Sequence, residues 1–298
     1  MKIMNPIYKR EIMVSARSFK LALMLVVFNG ILTLVALLNM YSVLTQVRQT
    51  AQIQYSSFLD LYVFIAVLEF VMLIFIMPAI TAGSISGERE RRTLDIMLTT
   101  KMTPAQIVLG KLASSLSTMM LMIVSSFPIL AMVFVYGGVT FADMGKLLLC
   151  YIAAALFIGS IGICCSAVFG KSTVSTVISY GLMVLVVIGT YGINQLACYM
   201  SGVHAGGYLA AAGQAAQGNS GALLYLLLMN PTSTFLVTMM KLTGTGMNRI
   251  DQMVTSWFGA HERNLVYGNW EAVSIVIQLL LAVILVWTAI RVISSRRG

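Results

Sequence analysis

Six runs of this chain are nearly free of charged residues and each is long enough to cross a bilayer, which limits the fold more severely than any other feature. About 20 apolar residues in a helix span the hydrocarbon core, and spans are expected at 21–44, 61–87, 112–137, 147–169, 173–197 and 271–291, with Glu69 the single acidic residue away from their ends. Composition agrees: 59% of the 298 residues are hydrophobic and 10% charged, against about 45–50% and about 25% in soluble domains. A soluble chain of this length leaves roughly a quarter of its surface exposed, so an ordinary soluble enzyme is excluded. Backbone polar groups in hydrocarbon must be satisfied within the segment. The expected fold is therefore all-α, a polytopic membrane protein of six transmembrane helices.

Residues 198–270 do not fit the span pattern. A Gly/Ala-rich stretch, 205–221, runs into the apolar block Ala222 to Met229, which stops at Asn230-Pro231. Eight residues cannot cross ~30 Å, so an extracytoplasmic or re-entrant helical segment is expected between spans five and six.

Orientation follows from the cations. With the N-terminus inside, fourteen of the 19 Lys and Arg fall on the cytoplasmic side and five outside. That split obeys the positive-inside rule and predicts a multi-pass protein of the cell membrane with both termini cytoplasmic. The formal charge of +9 is then a topology signal and an attraction to anionic lipid headgroups, not a nucleic-acid footprint. The first residues are too charged, for too long, to resemble a cleavable signal. Residues 5–20 are expected to form an interfacial helix, with Tyr8, Ile12, Ala16 and Phe19 on one arc and Lys9, Arg10, Arg17 and Lys20 on another. The alternative is a plain basic flank that sets topology. The cysteines, Cys150, Cys164, Cys165 and Cys198, show no metal or redox spacing.

Catalytic motifs are missing. His261-Glu262 lacks the second histidine of a zinc-protease motif, and Gly170-Lys171-Ser172 lacks the earlier glycine of a phosphate-binding loop, where Cys165 stands. No nucleotide, metal or cofactor site is expected in the chain. The informative loop is 88–111. It opens on Glu88, Arg89, Glu90, Arg91, continues through Thr93, Leu94, Asp95 and Leu98, and ends at Thr103-Pro104-Ala105-Gln106. The last four residues form a capping box with proline in the first turn, so a helix should start there and feed the third span. Leu94, Ile96, Met97 and Leu98 beside charge suit docking on a soluble partner, and suit resting on headgroups about equally.

At these residues the sequence resembles the type-2 class of ATP-binding-cassette (ABC) exporter permeases, whose loop reads approximately E-x-E-x-G-T-L-E-x-L-L-T-T-P-x-S-x-x-x-I-x-x-G-K. Glu88, Glu90, Thr93, Leu94, Asp95, Leu98, Thr99, Thr100, Thr103, Ile107, Gly110 and Lys111 match. Arg92 replaces the usual glycine and Lys101 the usual proline. The six-span layout, the helix before the first span and Asn230-Pro231 extend the likeness over the chain. The resemblance implies a half-transporter that pairs with a second permease, identical or related, and docks two cytosolic ABC ATPase subunits that hold ATP and Mg. It implies ATPase-coupling roles for Glu88, Glu90, Arg91, Thr93, Leu94, Asp95 and Leu98, and a role at the membrane surface and the ATPase for Tyr8, Arg10, Ile12, Arg17 and Phe19.

Small residues suggest close helix packing. Ala79, Gly83 and Gly87 form one row, and Gly159, Gly162 and Ser166 another; either can serve a subunit interface or packing within one chain. Pro78 and Pro128 should bend their spans. Glu69 is expected to line a subunit interface or substrate path, the alternative being a neutral structural glutamate. Two other functions fit less well: an ion-coupled transporter or channel, which needs more intramembrane charge than Glu69, and a non-transporting membrane scaffold.

Overall fold

The computed structural model describes residues 6–50, 55–94, 97, 102–136, 140–209, 218–243, 246–259, 261 and 264–295. Its helices are α1 (Pro6–Ala16), α2 (Phe19–Thr50), α3 (Tyr55–Thr81), α4 (Ser86–Glu90), α5 (Pro104–Tyr136), α6 (Phe141–Val168), α7 (Ser172–Val184), α8 (Thr190–Leu209), α9 (Pro231–Leu242), α10 (Gly246–Phe258), α11 (Leu265–Gly268) and α12 (Trp270–Ser294). A π-helical turn, Leu185–Gly189, joins α7 to α8, and a 3-10 helix, Gly221–Met229, precedes α9. No strand occurs among the described residues. Among the described residues, six helical stretches are long and apolar enough to cross a membrane, which makes this an all-α polytopic membrane protein.

Local chemistry sets several helix starts. Thr103 and Gln106 form the expected capping box: the Gln106 N–H donates to Thr103 Oγ1 at 3.3 Å, and the Thr103 N–H to Gln106 Oε1 at 3.0 Å. Thr140 and Asp143 do the same for α6. Pro78 and Pro128 lie inside α3 and α5.

The chain divides into two compact units, one of residues 1–180 with 281–298 and one of residues 181–280. In the first, α3 packs against α2, α5 and α6. The contact with α6 is close because Gly159 and Gly162 have no side chain. A Cβ on Gly162 would stand 2.0 Å from Thr81 Oγ1 and 2.9 Å from Thr81 Cβ, and one on Gly159 2.5 Å from Met77 Cε. The Gly159, Gly162, Ser166 row thus packs one helix of this chain against another.

Glu69 lies within the same bundle and is fully buried. Ser126 Oγ donates to its Oε1 at 2.5 Å, while its Oε2 has no hydrogen-bond partner. The Tyr151 hydroxyl, one turn away, donates to the Ala66 carbonyl at 2.8 Å. Glu69 is thus enclosed within this unit, where its helix presents it to the Ser126 hydroxyl of α5.

The second unit is built around breaks in its helices. The 3-10 helix Gly221–Met229 meets α9 at 92°, and nine residues at ~2 Å rise reach only about 18 Å, too short to cross. Asn230 makes the corner. Its Oδ1 accepts from the Thr232 N–H at 2.9 Å, capping α9, and its Nδ2 donates to the Val187 carbonyl at 3.0 Å and Thr190 Oγ1 at 2.8 Å. A π turn leaves carbonyls poorly served within the helix, so Val187 finds its donor in Asn230. Ser274 Oγ donates to the Leu228 carbonyl at 2.7 Å, and Gln278 Nε2 to Thr234 Oγ1 at 2.8 Å. Every member of this buried network is neutral.

Candidate functional site

The loop that opens on Gly87-Glu88-Arg89-Glu90 folds as the short helix α4, and neighbouring helices hold it on three sides. Its first N–H groups have no cap of their own: Ser166 Oγ, from α6, accepts from the Ile85 and Ser86 N–H groups at 2.8 and 2.9 Å. Ser175 Oγ of α7 donates to the Ala82 carbonyl at 2.7 Å just before it. Orphan donors at a helix start are thus satisfied by a side chain from another helix.

Each charged residue of α4 has its own partner. Lys111 of α5 donates to Glu88 Oε1 and, from the other side, to Glu11 Oε1 of α1, both at 2.8 Å. Lys111 is only 3% exposed, and a buried ammonium between two carboxylates is compensated on both sides. Arg89 donates to the Phe169 and Ala167 carbonyls at 3.1 and 2.9 Å, at the C-terminal end of α6. Glu90 accepts from the Ser172 N–H at 3.0 Å and the Ser172 hydroxyl at 2.7 Å, at the N-terminal end of α7. A cation thus meets the negative end of one helix dipole and an anion the positive end of the next, the favourable sign in each case.

Beyond α4 the chain turns at Arg92, whose φ is +57°. Only glycine adopts this region freely, and Arg92 stands where the resembled family has glycine. Leu94 is then carried inward, 4% exposed, onto Ile85, Val108, Leu112 and Ile163.

Of the residues expected to contact an ATPase, Glu88 and Glu90 are thus engaged within the chain and Leu94 is in the core. Arg91 and Thr93 are exposed, as is Arg92, and the Thr93 hydroxyl donates to the Glu88 carbonyl at 3.1 Å. Asp95 and Leu98 lie outside the described residues. Gly83 is half-buried with Ser172 Cβ 4.0 Å from where its own Cβ would stand, and Gly87 is half-buried with nothing within 4 Å of that position.

The N-terminal helix also differs from its expected arc. Ile7 is buried, the Tyr8 hydroxyl meets Ser117 Oγ at 2.9 Å, and Glu11 reaches Lys111, so this side of α1 faces α5. Arg10 and Arg17 are exposed, Ile12 is half-buried, and Phe19 is exposed in the first turn of α2. Sequence reasoning missed Glu11, Arg89 and Ser166 as members of the site. The available signal was the strict alternation of sign from Glu88 to Arg91, which asks for partners of both signs.

A family model described as ABC-2 family transporter protein matches residues 8–291. No curated protein matches the chain.

Proposed function

The chain belongs to the ABC-2 transporter family, and on that premise we propose that it is the membrane-spanning half of an ATP-driven exporter, docked on cytosolic ATPase subunits through the segment 88–111. The family supplies the transmembrane component of an ABC transporter, which works with an ATPase subunit. In this reading two ATPase copies bind ATP and Mg, the chain itself holds no cofactor, and a second permease, identical or related, completes the membrane pathway. Both termini and α4 lie on the cytoplasmic side of the cell membrane. The cargo is amphiphilic or hydrophobic and leaves the cytoplasm or the inner leaflet.

The observation that carries this reading is the clamping of α4. A lever must be stiff where it meets the load and accessible where it is pushed. Glu88, Arg89 and Glu90 tie α4 to α5, α6 and α7, and Lys111 joins α1 to the same clamp through Glu11, while Arg91, Arg92 and Thr93 remain exposed. A push on this exposed edge moves several helices together, because packed interfaces shift as bodies and do not deform continuously. Arg91 and Thr93 contact the ATPase, with Asp95 and Leu98 beyond them, and Glu88, Glu90 and Leu94 position that edge.

The test is co-purification from the native cell. Wild type should bring down an ATPase with nucleotide-binding motifs and ATP-dependent activity. Arg91→Glu combined with Thr93→Glu should lose it while unfolding at the wild-type temperature. A wild-type protein that brings down no ATPase overturns the reading.

A further inference from the structure

Helix α1 has two unlike faces. On the inward one, Ile7 is buried, the Tyr8 hydroxyl meets Ser117 of α5 at 2.9 Å, and Glu11 reaches Lys111 at 2.8 Å. On the outward one, Arg10, Met13, Val14 and Arg17 follow the three- and four-residue spacing of a single helical stripe, with Lys9 beside it. All five are exposed, Met13 to 54% and Val14 to 64%. No ion pair among the described residues engages Lys9, Arg10, Arg17 or the exposed Lys20. Glu11 is the one acidic residue before Asp60, and its bond to Lys111 takes it to the other side of the helix. The charge on the described outward face is therefore all positive.

What lies against this face follows from the next helix. The chain passes from α1 to α2 through one turn, closed by the Ser18 N–H on the Ser15 carbonyl at 2.9 Å, and a stretch able to cross a membrane begins at Phe19. Phe19, Leu23 and Val26 are exposed on α2, where acyl chains are their solvent. Ser117, which Tyr8 touches, also lies within a spanning stretch. These two attachments fix α1 at the level where hydrocarbon gives way to headgroups. There Met13 and Val14 enter the upper acyl region while the arginines and lysines extend their stems toward the phosphates. Zwitterionic headgroups leave the four cations unbalanced. Anionic headgroups balance them, a gain of roughly fivefold in affinity for each cation near the surface.

We propose that the outward face of α1 binds anionic phospholipid headgroups of its leaflet, and that the bridge Glu11, Lys111, Glu88 carries the occupancy of that face to α4. A lipid that binds docked α1 shifts the equilibrium toward it. Docked α1 keeps Glu11 on Lys111, and Lys111 holds Glu88 of α4. When α1 lifts, the buried ammonium loses one of its two carboxylates and α4 opens more readily. That α4 meets an ATPase rests on the proposed function; the lipid site and its link to α4 do not, and their test needs no ATPase.

The full-length protein in detergent is titrated with phosphatidylglycerol or phosphatidylcholine and read by native mass spectrometry. The protein in phosphatidylcholine nanodiscs, with or without phosphatidylglycerol, is read by hydrogen exchange over residues 85–94. Wild type should prefer phosphatidylglycerol and exchange more slowly over 85–94 in the anionic bilayer. Arg10→Gln with Arg17→Gln, both at exposed positions, should weaken retention of phosphatidylglycerol about thirtyfold and remove most of the difference in exchange, whereas Arg10→Lys with Arg17→Lys should keep both. Glu11→Ala should keep the lipid preference and lose the exchange difference. The proposal is overturned if the double glutamine variant prefers phosphatidylglycerol as strongly as wild type, if the double lysine variant loses that preference, or if Glu11→Ala responds to the anionic bilayer as wild type does. A double glutamine variant that keeps its lipid preference but no longer co-purifies with an ATPase also overturns it, and assigns the face to that partner.

Discussion

The α4 segment and the Asn230 corner each mend an interrupted helix, and they use opposite chemistry. Around α4, the backbone ends at 167–172 and the lysine on α5 are met by full charges: Glu88, Arg89, Glu90 and Glu11. At the corner, the carbonyl freed by the π turn and the first N–H groups of α9 are met by one amide, supported by hydroxyls and Gln278. Ions fit where water and headgroups soften the cost of charge, whereas a break surrounded by apolar helices is cheaper to close with neutral dipoles. The lesson is that the sign content of a repair marks the dielectric in which it was made.

Removing a charge from the first region should have the largest effect. Lys111→Met leaves Glu11 and Glu88 facing each other without their cation, a loss of about 3 kcal/mol that thermal unfolding in detergent should register. Adding Glu11→Gln to it should restore part of the loss, and no restoration would mean that the triad is not a coupled unit.

The neutral repair should cost somewhat less when broken, about 2 kcal/mol for Asn230→Ala, which removes the cap and both amide hydrogen bonds. Asn230→Asp separates the roles, keeping the capping oxygen but losing the donors to Val187 and Thr190. Hydrogen exchange should then show a stable α9 start beside a loosened π turn.

Gly162→Ala probes the packing that supports α4 from behind. Its methyl would overlap Thr81, and such overpacking costs about 1–3 kcal/mol. Thr81→Ala in the same chain should recover most of it, which a comparison of melting temperatures can show.

The smallest change expected is a gain. Arg92→Gly relieves a left-handed residue and should stabilise the turn by up to about 1 kcal/mol. It should do so without altering the clamp, since Arg92 is exposed, and a destabilised Arg92→Gly protein would mean that the side chain itself is needed.

What could be read in advance was what neighbours in sequence decide. The Thr103 to Gln106 capping box involves residues three apart, and the apolar runs announce themselves by length. Glu88 was legible as important but not as paired, because Lys111 and Glu11 lie 23 and 77 positions from it. The clamp exists only once α1 and α5 are packed. Leu94 looked like a docking residue because a short apolar block beside charge has no periodicity long enough to tell a core face from an exposed one. The row Gly159, Gly162, Ser166 was open between two uses for the same kind of reason, since small residues permit close approach without naming what approaches. The α10 helix was missed although Ile250, Val254, Trp257 and Phe258 have helical spacing, because the flanking glycines Gly244, Gly246 and Gly259 and the polar residues Asn248, Arg249, Asp251 and Gln252 dilute the signal over any longer window.

The π turn at Leu185–Gly189 has a consequence for reading the protein's variants. A π turn takes in one residue more than the α-helical turn it replaces, so it acts as a frame shift in the helical wheel. Positions 181–184 and positions in α8 that an unbroken 3.6-residue count would place on one stripe are about 100° apart. Substitution patterns on the two sides of residue 187 therefore belong to two separate phases, and a tolerated change at one position says nothing about the position seven or eleven residues further on.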